Sequence, residues 1–215
     1  MKNIQKGDVR LKSPFTAIVT GPTGSGKTVL LWRLIVSSPW ICTQPPEEII
    51  YCFGEWQDMF HEMKGVTFHK GMIDIDQDVA NDGKPRWIII DDLMDEVSGK
   101  TTMNNLFTKE SHHRNLSVFF VTQNPFKKEN RTISLNAHYY FWFKNPRDKL
   151  SIINFAKQAF PGAAQAVLNA YDQATTHPWS FLLIDLRQES GEKWRLIANY
   201  ASHDKPMRVF DVSPP

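Results

Sequence analysis

Short apolar runs alternate with polar, turn-rich stretches along most of the chain, and they predict β-strands. The runs are FTAIVT (15–20), EEIIYCF (47–53), RWIIIDD (86–92), LSVFFVTQN (116–124), HYYFWF (138–143), WSFLLIDL (179–186) and WRLIANY (194–200). Because strands this apolar are buried on both faces, they predict an α/β fold, with a mostly parallel central sheet and helices on both faces. The last two runs, joined across RQESGEK, are typical of a C-terminal β-hairpin.

Helical patterns lie between the strands. The clearest are TVLLWRLIVS (28–37), PRDKLSIINFAKQAF (146–160) and GAAQAVLNAYDQAT (162–175). With 215 residues, 41% of them hydrophobic and 22% charged, the chain has the size and composition of a globular domain. No shift in composition marks a second domain, so we predict a single domain over 1–215, with a core over about 15–200 and an extended surface tail over 201–215.

A glycine-rich loop, GPTGSGKT, directly follows the first predicted strand and precedes the first predicted helix. It matches the pattern G-x-x-x-x-G-K-[ST], in which glycines let backbone N–H groups wrap closely around a phosphate and the helix N-terminus adds positive charge. We expect Lys27 to reach the β- and γ-phosphates of a nucleotide and Thr28 to meet Mg²⁺. The loop consists of Gly21, Pro22, Thr23, Gly24, Ser25, Gly26, Lys27 and Thr28.

The third predicted strand ends in paired acids, and the ends of parallel strands are where ligands bind in open α/β sheets. We expect Asp91, exposed at that edge, to join the Mg²⁺ shell, and Asp92 to polarise a water for attack on the γ-phosphate. The alternative for Asp92 is a helix N-cap. Glu96 is a second candidate for the base, although an acid on a solvated helix face is the simpler interpretation of that residue.

The fourth predicted strand ends in Gln123 and Asn124, at the same edge as Asp91. Such uncharged groups sense the γ-phosphate or orient water, and the alternative is that they cap the loop.

Arg114 precedes this strand, at the opposite end from the phosphate loop, so it is better placed to reach a neighbouring subunit's nucleotide than its own. An arginine supplied in this way is worth about 10³–10⁵ in rate. The alternative is a local ion pair, for instance with Glu110.

Charge is divided along the chain although its net value is only +2. Residues 109–149 carry eight basic and three acidic side chains, whereas residues 74–100 carry three basic and eight acidic ones. A basic stretch that includes NPFKKENR is suited to following a phosphate backbone, and the alternative is an ordinary solvated loop.

The remaining features narrow the class of protein. The stretch NPRD lacks the lysine of a guanine-reading Asn-Lys-x-Asp motif, which argues against a GTPase. Cys42 and Cys52 do not have metal-ligand spacing; their number allows a disulfide, but a nucleotide site favours reduced thiols. We expect neither a signal peptide nor a membrane span, because no apolar run approaches about 18 residues.

Five motifs occur in order: GPTGSGKT, WIIIDDLM, HHRNLSVFFVTQNPF, RTISLNAHYYFWFKNPRD and FLLIDL. Together, over about 15–186, they resemble the viral genome-packaging ATPases of the FtsK/HerA superfamily, above all the poxvirus-type ATPases shared by large DNA viruses, Maverick/Polinton elements and adintoviruses. The resemblance implies a RecA-like core, ATP and Mg²⁺ as cofactors, and a homo-oligomeric ring. It also implies ATP-driven translocation of double-stranded DNA into a preformed capsid, with capsid proteins as partners at host nuclear or cytoplasmic sites of virion assembly, or in the virion.

The resemblance also implies roles for single residues. Lys27 and Thr28 match the phosphate and Mg²⁺ positions, and Asp91 matches the Walker B acid. Gln123 matches the polar sensor, and Arg114 matches the arginine finger, for which Arg131 is a second candidate. Cellular members of the superfamily usually carry Asp-Glu where this chain has Asp91-Asp92, which leaves the identity of the base open. The alternatives are a P-loop kinase and a phage-extrusion-type assembly ATPase, which usually carries a membrane segment.

Overall fold

The apolar runs form the strands of a single sheet. The structure is a computed structural model that describes residues 8–91, 93 and 114–212, with only the backbone of Glu129. Nine strands of these residues pair in the order β3-β2-β4-β5-β1-β6-β7-β8-β9. The strands are β1 (Thr16–Thr20), β2 (Glu48–Phe53), β3 (Val66–Lys70), β4 (Arg86–Asp91), β5 (Leu116–Thr122), β6 (Tyr139–Phe143), β7 (Phe181–Asp185), β8 (Leu196–Ala198) and β9 (Arg208–Phe210).

The sheet is parallel from β3 to β6 and antiparallel from β6 to β9. The predicted hairpin is confirmed, because β7 and β8 pair as antiparallel neighbours. In the parallel part, β5 lies between β1, which leads into the glycine-rich loop, and β4, which ends in Asp91. This order places the carboxyl ends of β1, β5 and β4 side by side.

Helices are present on both sides of the sheet, as predicted. In chain order the α-helices of the described residues are α1 (Lys27–Ile41), α2 (Ile75–Asp78), α3 (Arg131–Leu135), α4 (Lys149–Ala159) and α5 (Ala164–Ala174). Short 3₁₀ helices span Asp58–Glu62, Lys128–Asn130 and Glu192–Trp194. The α4 helix begins at a side-chain cap, because the Asp148 carboxylate accepts a hydrogen bond from the Ser151 N–H at 3.0 Å.

The hydrophobic core is divided into two layers by the sheet. On one face, α1 buries Leu30 and Leu34 against the strands. On the other face, α4 contributes Phe155 and α5 contributes Val167. Burying an aliphatic or aromatic side chain of this size is worth about 1.5–3 kcal/mol relative to exposing it, so each helix is held by its apolar stripe.

Two strands were not predicted, and each has a physical reason. β3 is an edge strand whose residues are all exposed or only partly buried, so its sequence, VTFHK, lacks a strong apolar signal. β9 lies within the predicted tail and pairs with β8. Val212, just beyond it, is 4% exposed and belongs to the core. The predicted extended tail therefore includes a strand, β9, that completes the sheet, and the expected surface position is wrong for Val212, which is buried.

Two further expectations concern thiols and membranes. Cys42 and Cys52 are both free and buried, and burial raises the pKa of the Cys52 thiol to about 11. None of the helices in the described part of the chain has the length and apolarity that a membrane crossing requires.

Candidate nucleotide site

The candidate site begins where three neighbouring strands end. Thr20 at the end of β1 is paired with Thr122 at the end of β5. Asp91 at the end of β4 is paired with Val121. The glycine-rich loop is joined to the same edge, because the Gly21 N–H donates to the Thr122 carbonyl at 3.3 Å. The loop, Asp91 and the residues after β5 therefore meet at one edge, as the sequence predicts.

The loop has the backbone geometry of a phosphate cradle. Gly24 and Gly26 have φ of +75° and +98°, a region that favours glycine. Gly21 is constrained by space instead: a Cβ there would lie 2.6 Å from the Phe143 Cβ. The Lys27 ammonium donates to the carbonyls of Gly21 and Pro22, each at 2.9 Å, so its Nζ lies over the loop.

A cleft of about 650 Å³ opens over this loop. This volume is within the range of small-molecule sites. It is lined by Thr23, Gly24, Gly26, Lys27, Thr28, Val29, Leu30, Arg33, Gln57, Met59, Asp91, Val121, Thr122, Gln123, Trp179 and Phe181. The cleft therefore brings together four of the predicted functional side chains, those of Lys27, Thr28, Asp91 and Gln123.

The residues of the cleft fit a phosphate and its Mg²⁺. The hydroxyl of Ser25 is buried and has no hydrogen-bond partner among the described residues, so it has a donor to offer to a phosphate in the loop. Thr28 and Asp91 supply the oxygen ligands that Mg²⁺ prefers, and phosphate oxygens and water complete such sites.

Asp91 is placed differently from the prediction. It is only 6% exposed, although we expected an exposed carboxylate. Its Oδ2 accepts a hydrogen bond of 2.6 Å from the hydroxyl of Tyr51, a β2 residue with no exposed surface. Burial, followed by the nearby Asp91 carboxylate, raises the pKa of Tyr51 well above its usual value, so Tyr51 stays a donor. The carboxylate is thus held in one orientation.

Gln57 is a site residue that the sequence does not reveal. It lies after β2, just before the 3₁₀ helix Asp58–Glu62, and its Oε1 accepts a hydrogen bond of 3.0 Å from the Thr28 hydroxyl. The segment GEWQDMF has no strand or helix periodicity that would mark one polar residue. Because Phe53 at the end of β2 pairs with Asp91, the chain after β2 starts at the edge of the sheet where the cleft lies, and Gln57 lines that cleft.

Gln123 and Asn124 have different positions although they are adjacent. Gln123 is exposed and lines the cleft, as expected of a group that senses a phosphate. Asn124 folds back on the chain, because its Oδ1 accepts a hydrogen bond of 2.9 Å from the Phe126 N–H. For Asn124, therefore, the loop-capping alternative describes the geometry.

Arg114 lies in the turn before β5, at the end opposite to the cleft. Its guanidinium donates to the carbonyl of Ile75 at 3.0 Å and forms an ion pair with Asp76, and the side chain is 15% exposed. The local ion pair is thus formed with Asp76, whereas Glu110 lies outside the described residues. Arg131, the second candidate for the finger, is exposed at the start of α3.

The acids that we predicted to act beside Asp91 are not described by the structure. Asp92 and Glu96 both lie outside the described residues. Their predicted roles stay predictions.

The chain is similar in fold to the genome-packaging NTPase B204 from Sulfolobus turreted icosahedral virus 2, in complex with ATP-γ-S. The match covers 93% of this chain and 97% of that chain, with a TM-score of 0.53 and 14% sequence identity. The fold is that of a P-loop NTPase. No family model matches the sequence, and no curated protein matches it.

A second solved structure is less similar. The N-terminal domain of zonular occludens toxin from Neisseria meningitidis matches 64% of this chain and 79% of that chain, at 13% identity and a TM-score of 0.39. This value is too low to bear on the P-loop NTPase fold.

The basic segment is solvent-facing in this fold. Its exposed members among the described residues are Lys127, Lys128, Arg131, Lys144, Arg147 and Lys149. Two basic residues of the segment are ion-paired: Arg114 with Asp76, and Lys149 with Asp172 at 3.9 Å. The exposed basic residues follow β5 and β6 along the chain.

Proposed function

We propose that this protein is an ATPase that drives double-stranded DNA into a preformed viral capsid. The observation that carries the ATPase part is the meeting of Lys27, Thr28, Asp91 and Gln123 around one cleft. Lys27 and Thr28 belong to the loop motif, whereas Asp91 and Gln123 come from two other parts of the chain, so the fold adds two groups that the loop motif does not contain. The packaging part is supported by the order of the sequence motifs and by the fold shared with a viral packaging NTPase.

In this proposal each residue of the cleft has a role in phosphate chemistry. The loop N–H groups and Lys27 bind the β- and γ-phosphates, and Thr28 and Asp91 hold Mg²⁺, which neutralises charge on the phosphates. Tyr51 holds Asp91 in place through its hydroxyl group, and Gln57 holds Thr28 by accepting its hydrogen bond. Gln123 orients the attacking water, and Asp92 accepts its proton; Glu96 takes that part if Asp92→Asn remains active while Glu96→Gln is inactive.

We propose that the exposed basic residues after β5 and β6 contact the DNA backbone. Lysine and arginine neutralise phosphates without reading sequence, which suits a motor that must move along any DNA. The exposure of Lys127 and Lys128 on the segment that leaves the cleft from β5 supports this assignment. That segment also contains Gln123, so DNA contact and phosphate sensing lie on one stretch of chain.

We propose that the subunits form a head-to-tail ring in which each subunit supplies an arginine to its neighbour's cleft. Because Arg114 is engaged by Asp76 and two backbone carbonyls, a role in trans requires it to leave these partners. Arg131 is exposed, which supports its candidacy. Mixing Lys27→Ala with Arg131→Ala protein restores partial ATPase activity if Arg131 is the finger, whereas mixing with Arg114→Ala restores it if the finger is Arg114.

The proposed function is tested by measuring ATP turnover with and without duplex DNA. We expect turnover that duplex DNA stimulates, and none in Lys27→Ala. The circular dichroism spectrum of this variant should match the wild type, because the change removes one side chain at the first residue of α1 and alanine favours a helix. Phosphate transfer to a small acceptor without DNA stimulation would indicate a kinase and contradict the proposal. Equal turnover in wild type and Lys27→Ala would remove the ATPase assignment itself.

A further inference from the structure

Trp179 is an unusual side chain at the edge of the cleft. It is 72% exposed, although a tryptophan of this size normally buries most of its surface. It lies directly against the phosphate loop: a Cβ placed on Gly26 would be 3.3 Å from the Trp179 Cβ and 3.5 Å from its Cδ1. It lines both the main cleft and a smaller pocket of about 180 Å³ beside Pro22–Ser25.

The backbone at Trp179 is strained. Its φ is +59°, in the left-handed region, and for a bulky residue this conformation is an outlier. Such strain costs roughly 1–3 kcal/mol and persists only where the surroundings impose it. Here the turn is fixed on both sides: the Lys144 N–H donates to the Ser180 carbonyl at 3.3 Å, and the Ser180 hydroxyl donates to the His177 carbonyl at 2.5 Å. The fold therefore fixes the backbone that presents this exposed indole beside the phosphate loop.

The position of Trp179 in the sheet suits contact with the nucleoside part of a nucleotide bound in the cleft. The groups that suit Mg²⁺ and the terminal phosphate, Asp91 and Gln123, follow β4 and β5, on one side of β1. Trp179 precedes β7, on the other side of β1, beyond β6. A triphosphate laid along the loop with its γ-phosphate toward Asp91 directs its ribose and base away from β4, toward Trp179.

We propose that Trp179 is a stacking platform for the nucleobase of the bound nucleotide. This inference rests on the proposed ATPase function and names a binding residue that the sequence motifs do not contain. An indole face stacks on any base, because every base has a π-face. Trp179 thus contributes affinity without base selection, and it holds ATP and GTP to the same extent.

The test is nucleotide binding by wild type, Trp179→Ala and Trp179→Phe, measured by calorimetry with ATP, GTP and inorganic tripolyphosphate. We expect Trp179→Ala to weaken ATP and GTP binding by similar factors, about 5- to 150-fold, which is the range for one base–aromatic stack. Tripolyphosphate has no base, so its affinity stays at the wild-type value. Trp179→Phe restores most of the affinity, because it keeps an aromatic face.

Trp40 provides a matched control. It is 73% exposed but lies near the far end of α1, one residue before the helix ends. Trp40→Ala should leave the affinities for all three ligands unchanged. Unchanged ATP affinity in Trp179→Ala would overturn the proposal, and so would an equal loss for tripolyphosphate, since that result indicates a general defect of the loop.

The outcomes also separate this inference from the proposed function. Wild-type protein that binds ATP with the Trp179 dependence described, but does not hydrolyse it or respond to DNA, refutes the motor function and leaves the platform intact. Wild-type hydrolysis and DNA stimulation with no effect of Trp179→Ala on ATP affinity refutes the platform alone. Wild-type protein that does not bind ATP refutes both.

Discussion

Replacing Tyr51 with phenylalanine removes one hydroxyl group and, with it, the hydrogen bond of 2.6 Å to the Asp91 carboxylate. A hydrogen bond to a charged group contributes about 1.5–3 kcal/mol to stability. For a chain of this size, each kcal/mol lowers the melting temperature by about 2–4 °C, so Tyr51→Phe should melt about 3–12 °C below the wild type. The aromatic packing is retained, because phenylalanine keeps the ring.

The same change should weaken the proposed Mg²⁺ site. Loss of a group that orients a metal ligand typically costs about 10–100-fold in metal affinity, so the Mg²⁺ concentration for half-maximal ATP turnover should rise by a factor in that range. Tyr140→Phe is the matched control: Tyr140 is as deeply buried, but its hydroxyl donates to the Ser134 carbonyl at 2.7 Å, away from the cleft. It should lower the melting temperature and leave the Mg²⁺ requirement unchanged.

A double-mutant cycle with Asp91→Asn decides whether the effect acts through the carboxylate. The destabilisation by Tyr51→Phe should shrink in the Asp91→Asn background, because residues in direct contact show coupling energies of about 0.5–3 kcal/mol. If Tyr51→Phe destabilises both backgrounds equally, or leaves both the melting temperature and the Mg²⁺ requirement at wild-type values, the assignment of Tyr51 as the group that positions Asp91 is refuted.

Three further predictions test other contacts. Gln57→Ala removes the acceptor of the Thr28 hydroxyl bond, so the Mg²⁺ requirement of turnover should rise about 2- to 12-fold; an unchanged titration would remove Gln57 from the site. Gly21→Ala places a Cβ 2.6 Å from the Phe143 Cβ, which should destabilise the fold by about 1–3 kcal/mol and lower the melting temperature. Gly191→Ala is the control, because a Cβ there would lie 3.7 Å from its nearest neighbour, the Trp194 Cδ1. Reversing the charges of Lys127 and Lys128 should flatten the plot of log DNA affinity against log salt by about 1.8, and an unaltered slope would place the DNA contact elsewhere.

The sheet is largely predictable from the sequence because its central strands are buried on both faces. Continuous apolar runs such as that of β5, in which every residue is buried, are typical of a strand covered on both faces. The same argument fails at the edges. β3 is half-exposed, and β9 is three residues long in a stretch that follows several turns, so neither presents a distinctive pattern.

The candidate site is predictable only where a motif fixes the backbone. The spacing of glycines, lysine and threonine specifies the loop, and a carboxylate after an apolar strand specifies Asp91. Tyr51, by contrast, is an aromatic residue within a buried strand, which from sequence alone is indistinguishable from a core residue. The apolar run WSFLLIDL predicts a strand from Trp179, but β7 begins at Phe181, and no sequence pattern marks the left-handed backbone of Trp179 beside the loop.

The pairing of β1 has a consequence for how the protein is made. β1 is hydrogen-bonded on one side to β5 and on the other to β6, so Ala17 pairs with Phe119 and Tyr139, more than a hundred residues later. At synthesis rates of about 5–20 residues per second, the ribosome needs about 6–25 s to advance from the end of β1 to the end of β6. For most of that interval the phosphate loop has been synthesised, but at least one of the two strands that pair with β1 has not. Nucleotide binding by a nascent chain should therefore appear abruptly, after β6 has left the exit tunnel, and would report that the centre of the sheet has closed.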